Sequence, residues 1–388
     1  MVDCPERLSQ AQGTYSLDTR RATNYRVIMD VSTLPNFEIG PIRPPSEGGG
    51  NSLLVRVTRN CAWGRCKFCF GTLYGKAKFE LRPLEEIEAD IEAMSQVAHT
   101  IGTESWRLGH GGMVNDALAA ALIRQDLRLQ RHSGFVTVFN WLVSGGRTAF
   151  LQDADSLIMR AGELQEVIRF LKATFPSLER ITSYARAKTI LRKSKEELKC
   201  LRETGLTRLH VGLETGDDQL LKLVDKGITS GQHIEAGLRA KEAGLQLSLY
   251  VMPDLGGRAL WRQHAEHTAH VLNAINPDYI RSRPFIPREG TPMYSDYSSG
   301  KFELSSPHER LTELRLMVKT LTVTSRLCFD HFGNSWRGSS GLPLFRMDYE
   351  GYKFPDEKDL VLELIEEGLA ADEAHHLHAR DIVGMPRL

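Results

Sequence analysis

The chain has 388 residues, with Lys plus Arg and Asp plus Glu equal at 49 each and a formal net charge of zero at pH 7. That balance gives no long-range attraction to nucleic acid. With no apolar run near the roughly 18 residues a span needs, no membrane helix is expected. Six cysteines and an N-terminus without an apolar signal core point to a reducing, cytoplasmic setting, and 41% hydrophobic residues can fill one α/β barrel of about 250 residues plus a smaller piece.

Residues 1–50 read as a polar, irregular lead-in marked by Pro41, Pro44, Pro45 and three glycines, with Cys4 as a spare thiol. An apolar strand over about 52–58 then delivers Cys61, Cys66 and Cys69, spaced C-x4-C-x2-C. Thiols this close do not suit a disulfide framework, and the second ligand pair of a tetrahedral zinc site is missing. A four-iron cube held by three cysteines keeps one iron open to a small molecule. A structural metal site or inert core thiols are the plainer alternatives.

After the basic Gly71–Lys78 stretch, a helix is expected from Pro83, with acidic residues in its first turns and an apolar stripe through Ile87, Ile91 and Met94. Residues 100–146 are longer than a strand–helix unit needs. They are expected to be helical over 116–130, to enter the next strand from Trp141, and to serve either as a lid or as a packing insertion. A second strand over 147–151 ends in the polar run Gln152, Asp153 and Asp155, where Asp155 or Ser156 could instead cap a helix. A helix over 160–175 and a third strand near 180–185 follow, ending at Tyr184 and Arg186. Arg186 could grip a carboxylate or join a surface salt bridge.

Ser194 to Glu197 is a capping box. A fourth strand, 208–213, closes with Glu214, Thr215 and Gly216. A helix over 231–243 stops at Gly244, and a fifth strand runs into Pro253–Gly257, where Gly256 would let backbone approach a ligand or simply make a turn. His264, His267 and His270 lie on the next helix, more as a solvated face than as metal ligands. The sixth strand is 279–286. Beyond residue 295 the pattern becomes helical, with a capping box at Ser306–Glu309, an Asp330–His331 acid/base pair, a last helix ending at Gly368, and solvent-exposed His375, His376 and His378. Six strand–helix units predict an α/β fold, a partial (β/α)6 TIM-type barrel over 51–295 with a mainly helical C-terminal extension over 296–388. With no seventh or eighth strand, the barrel would keep a lateral opening.

The strand, the three-cysteine loop and Phe68 before the last cysteine resemble the radical S-adenosylmethionine (SAM) superfamily, whose usual spacing is C-x3-C-x2-C; the extra residue here is Trp63 or Gly64. The segments GLTRLHVGLETGDDQLLKLVDKGI (205–228) and PFIPREGTPMY (284–294) resemble its coproporphyrinogen-dehydrogenase-like and MiaB-like branch. The resemblance implies a [4Fe–4S] cluster on Cys61, Cys66 and Cys69, with SAM on the open iron. It implies SAM contacts from Phe68, Gln152, Asp153, Asp155, Tyr184, Arg186, Glu214 and Gly256, with Asp330 and His331 facing substrate if the C-terminal segment covers the mouth. It further implies an oxygen-sensitive enzyme, a flavodoxin- or ferredoxin-type electron donor, and a substrate more in keeping with a small molecule than with RNA. A haem or cofactor chaperone and a zinc-binding interaction protein are the rival functions. No C-terminal RNA-binding barrel, acetyltransferase block, cobalamin domain or second cysteine cluster is legible.

Overall fold

The computed structural model describes residues 31–41, 43–48, 50–69 and 78–383. Cys4 and most of the Gly71–Lys78 stretch lie outside them. The main sheet is built from β1 (Leu53–Arg56), β4 (Thr148–Gln152), β5 (Arg180–Ala185), β6 (Leu206–Glu214), β7 (Gln246–Val251), β8 (Tyr279–Ser282), β9 (Arg326–Cys328) and β10 (Tyr352–Lys353), in that spatial order. All neighbours through β9 pair in parallel, and β10 pairs antiparallel to β9. β2 (Thr58–Arg59) and β3 (Glu80–Leu81) form a separate two-stranded pair after β1. The expected six-unit barrel is present, but the sheet does not end at its sixth parallel strand. β9 has three residues and β10 two, too short to show an alternation in the sequence.

The helices α1 (Leu84–Arg107), α2 (Asp116–Gln125), α3 (Ser133–Val143), α4 (Ala161–Thr174), α5 (Ala187–Arg192), α6 (Lys195–Thr204), α7 (Asp218–Leu223), α8 (Ser230–Glu242) and α9 (Gly257–Ile275) follow in order. Then come α10 (Pro292–Ser298), α11 (Pro307–Thr320), α12 (Lys358–Ala370) and α13 (Ala379–Val383). Successive residues of a strand face opposite sides. Leu53, Val55, Ala149, Leu151, Leu209 and Val211 join the helices in one core. The other set turns inward, where Phe150, Tyr184, His210 and Tyr250 meet ring to ring across four strands at 5.2–6.4 Å.

The 100–146 stretch packs on the outside. α1 continues to Arg107, and α3 lies on α1 and β1. Trp141, buried, ends this helix rather than opening a strand. Its indole donates to the Thr148 carbonyl and its ring meets Phe175 edge-on. Thr148 begins β4, so this contact lies at the end of the sheet away from the cysteine loop. The α3 part of this stretch is thus packed on the barrel's outer side.

The last part of the lead-in is also not a loose arm. Residues 45–47 form a single 3-10 turn that carries Glu47, 0% exposed, into the inside of the barrel. Its carboxylate accepts from Ser52, lies 3.2 Å from Arg180 Nη2, and lies 3.2 Å from His210 Nε2. Burial holds the His210 ring below its usual range, to about 4, so it is neutral at pH 7. Its Nε2–H is then assigned as donating to Glu47, while Nδ1 accepts from the Tyr250 hydroxyl 2.9 Å away. Ser52 and Arg180 sit at the beginnings of β1 and β5, so Glu47 closes the N-terminal end of the barrel.

Further on, α11 packs against α9 and α12 against α11. Gly368 lies inside α12, against Leu344 and Leu311, rather than ending it. His376 is buried, not solvent-exposed, because its Nε2 bonds the Gly368 carbonyl at 2.8 Å. Among the described residues no helix is long and apolar enough to cross a membrane.

Hydrogen bonds from His210 and Ser52 and the charge of Arg180 outweigh burial at Glu47 and hold its carboxyl down at about 2, against 4.5 ordinarily. A depressed carboxyl stabilises the fold fully above its unfolded value and loses that as pH falls toward its folded value. Removing it leaves the buried His210 and the half-buried Arg180 without their acceptor, so Glu47→Ala should lower stability by about 2 kcal/mol. Urea unfolding should show the gap at pH 7 and its narrowing from pH 4.5 toward pH 2; equal midpoints at pH 7 would refute the closure.

Candidate active site

The cysteine loop is fixed by one short segment on the far side of the sheet. α7 ends at Leu223, and the four carbonyls that follow it are each taken by a donor. Lys67 N donates to Val224 O at 2.9 Å, and Trp63 Nε1 to Asp225 O at 2.7 Å. Arg186 Nη2 donates to Lys226 O at 2.8 Å, and Lys188 Nζ to Gly227 O at 3.3 Å. Lys67 O in turn accepts from Met293 N, and Arg65 lies 3.0 Å from the Asp225 carboxylate. These four carbonyls lie past the end of α7, and the cysteine loop and the start of α5 supply their donors.

Trp63, between the first two cysteines, has its own seat. The guanidiniums of Arg65 and Arg186 lie 4.8 and 5.0 Å from its ring, and Lys188 Nζ lies at 5.7 Å. The indole covers Gly227, whose φ of +74° is left-handed; a Cβ there would come within 2.3 Å of the ring. Phe68 turns to a small apolar cluster of Val224, Leu255, Phe285, Met293 and Leu304. The chain between the cysteines is thus held from both sides.

Cys61 and Cys66 are half-buried and Cys69 exposed, all three as free thiols. Burial pushes the Cys66 thiol up, and burial followed by the nearness of Cys66 and Cys61 pushes Cys69 up to about 12. The trio therefore sits close enough for each thiolate to oppose the next. Cys66 and Cys69 thus ionise more readily once positive charge is added beside them, which suits a thiolate-bound iron cluster. Among the described residues no three His, Cys, Asp or Glu side chains converge on a single ion. A cube with separate iron corners does not ask its thiolates to converge.

Beside the loop stands an ion pair of which the sequence marks only one member, Glu214. Glu214 closes β6 at a register shift, with φ of +65°, and its Oε1 lies 2.7 Å from Lys226 Nζ. Gly212 makes room for it: a Cβ there would lie 2.0 Å from Oε1 and 2.9 Å from Nζ. Burial alone would lower the Lys226 ammonium, but Glu214 and the Cys66 thiol outweigh it and the group is raised. Lys226 also lies 5.6 Å from the Phe68 ring.

The other expected site residues divide. Arg186 and Tyr184 do come to this end of the sheet. Gln152 is engaged elsewhere, exchanging both amide hydrogen bonds with the backbone of Gly40. Asp153 pairs with Arg56 at 2.9 Å. Asp155 accepts from Arg186 N and Thr189 Oγ1, bracing the start of α5. Burial raises it to about 6. Gly256 is crowded by its own helix, since a Cβ would lie 3.0 Å from the Leu260 backbone. Asp330 forms a fully buried pair with Arg281 at 3.0 Å, while His331 Nδ1 accepts from Gly333 N. Of the helix histidines, His264 is buried against Glu313 and His267 meets Asp217, so the three do not share a ligand face.

A family profile described as the radical SAM superfamily matches residues 55–258. Elongator complex protein 3 of Homo sapiens is 29% identical over 128 residues, which is 33% of this chain and 23% of that protein. The heme chaperone HemW of Bacillus subtilis is 29% identical over 126 residues, 32% of each chain. The chain therefore spans a third or less of the length of these curated relatives. Among solved structures, methylornithine synthase (PylB) aligns over 84% of this chain and 85% of its own, at 17% identity and a TM-score of 0.40.

Gly227→Ala should unseat Trp63, since it adds a methyl group under the indole and strains a left-handed backbone by about 1–2 kcal/mol. Faster proteolytic cleavage within 60–69 at unchanged overall secondary structure is the expected reading. Cleavage at the wild-type rate would count against the seat.

Proposed function

The chain belongs to the radical SAM superfamily, and on that premise we propose that it is an enzyme that cleaves SAM reductively and takes a hydrogen atom from a small-molecule substrate. The observation that carries this is the placement of three free thiols on one clamped loop beside the buried Glu214–Lys226 pair. Cys61, Cys66 and Cys69 would hold three irons of a [4Fe–4S] cluster. When bound, the cluster and SAM supply the 5′-deoxyadenosyl radical that removes hydrogen from substrate, the electron coming from a flavodoxin- or ferredoxin-type donor.

The protein's share is position and enclosure. Lys226 offers a donor and Glu214 an acceptor at one point, matching a cofactor that carries both carboxylate and ammonium or hydroxyl groups. Their mutual pairing keeps both charges satisfied before the cofactor arrives. Phe68 and Tyr184 present rings where water must be kept out, and Arg186 ties β5 to the cysteine loop through Lys226 O and Trp63. Asp153 and Asp155 work one layer back, on Arg56 and on the start of α5.

Two outcomes test this reading. Cys66→Ala should take up almost no iron on anaerobic reconstitution while its circular dichroism stays that of the wild type, because the barrel core does not include the loop. Full iron loading in that variant would end the assignment. Glu214→Gln should load iron normally yet bind SAM about tenfold more weakly, roughly 1.4 kcal/mol, read by equilibrium titration; unchanged affinity would remove Glu214 from the site. Transfer of deuterium from a labelled substrate into 5′-deoxyadenosine separates an enzyme from a cofactor chaperone.

A further inference from the structure

The inside of the barrel holds several arginines, and four of them have an acceptor for at least one guanidinium nitrogen, although Arg180 Nε is left over. Arg56 has Glu38 and Asp153, Arg180 has Glu47, Arg208 has the Gln246 amide oxygen, and Arg281 has Asp330. Arg283 is different. It follows β8 directly, its N–H donating to Val251 O at 2.8 Å. Its guanidinium lies over the Tyr250 ring at 5.0 Å. Its Nε is buried with no hydrogen-bond partner, and among the described residues no carboxylate pairs with it. A buried guanidinium edge without an acceptor is costly, so an acceptor from outside the chain is the natural complement.

What surrounds Arg283 says which kind. His331 is pushed down to about 3, first by burial, then by the positive charges of Arg283, Arg288 and Arg310. Three cations therefore act on this one imidazole. The Tyr250 ring under Arg283 lies 6.4 Å from the Tyr184 ring, which stands on the neighbouring side of the sheet at the end of β5. Phe332 completes the wall, 4.3 Å from the His331 ring and 5.9 Å from the Arg288 guanidinium.

We propose that Arg283 anchors the carboxylate of the substrate, an acidic small molecule whose apolar part rests on the Tyr184 and Tyr250 rings. This deepens the reading above and rests on it for the word substrate. A planar guanidinium edge offers Nε and one Nη in parallel, which a carboxylate meets with two oxygens. With the acid held there, the rest of the molecule extends past Tyr184 toward Glu214 and the cysteine loop. His331, neutral beside it, neither competes as a cation nor repels the acid.

Benzoate serves as the probe, with benzamide as its uncharged counterpart and phenyl phosphate as the other oxyanion. Saturation-transfer NMR is run on the full chain, both metal-free and after anaerobic reconstitution, with and without SAM. Benzoate is expected to bind and benzamide not. Arg283→Gln should weaken benzoate about tenfold, and Arg283→Lys, which keeps the charge but not the paired edge, should fall between. Should Arg283→Gln fail to fold, the Lys variant carries the comparison. Equal binding of benzoate by wild type and variants overturns the proposal, as does preference for phenyl phosphate. Displacement of benzoate by SAM also overturns it, because the guanidinium would then belong to the cofactor. Iron uptake is read separately: a chain that binds benzoate through Arg283 yet loads no iron supports this anchor and defeats the proposed reaction.

Discussion

The site depends on four consecutive backbone carbonyls. The oxygens of residues 224–227 lie past the last turn of α7, outside the helix's own hydrogen bonds. Donors from Lys67, Trp63, Arg186 and Lys188 take them. One set of hydrogen bonds thereby fastens the cysteine loop, the end of β5 and the end of β6 to a single point. Lys226 belongs to that segment, so the ion pair with Glu214 is positioned by the bonds that hold the thiols. The longer cysteine spacing becomes intelligible here. The gap between the first two cysteines is not slack, because Trp63 reaches Gly227 and lies against two guanidiniums.

The barrel is asymmetric along its axis, and charge placement makes it so. At the N-terminal end Glu47 satisfies Arg180 and His210, and rings fill the space above them. There the carboxylate of Glu47 is already taken up by Ser52, Arg180 and His210. At the C-terminal end the polar groups are left for other uses. A neutral chain can thus carry a strongly polarised interior, which the overall charge count conceals.

Much of this was legible in sequence. Period-2 apolar patterns and capping boxes at Ser194 and Ser306 gave the strand–helix rhythm, because burial and helix-end chemistry are local rules. The cysteine loop and Glu214 were visible as residues whose chemistry is costly unless used. What stayed hidden was relational. Lys226 looks like an ordinary lysine in a turn until Gly212 leaves space for its partner. Gln152 and Asp153 look like free acceptors until Gly40 and Arg56 arrive from distant positions. Glu47 reads as one acid in a polar lead-in, and β9 and β10 are too short to announce themselves. Asp330 and His331 were noticed as neighbours, yet only the fold separates them, one into an ion pair and the other beside a cationic pocket.

That separation carries the last step. Arg281 and Arg283 lie two residues apart along the line of β8 and so turn to the same side. β9 runs beside β8, and the chain leaving β9 places Asp330 on Arg281, 3.0 Å away. It sends His331, which bears no charge, toward Arg283. The C-terminal segment therefore neutralises the deeper arginine and spares the outer one. On the anchor proposed above, a carboxylate at residue 331 would compete with the acid of the substrate, so the residues that follow the six-unit barrel would decide which molecule its mouth admits.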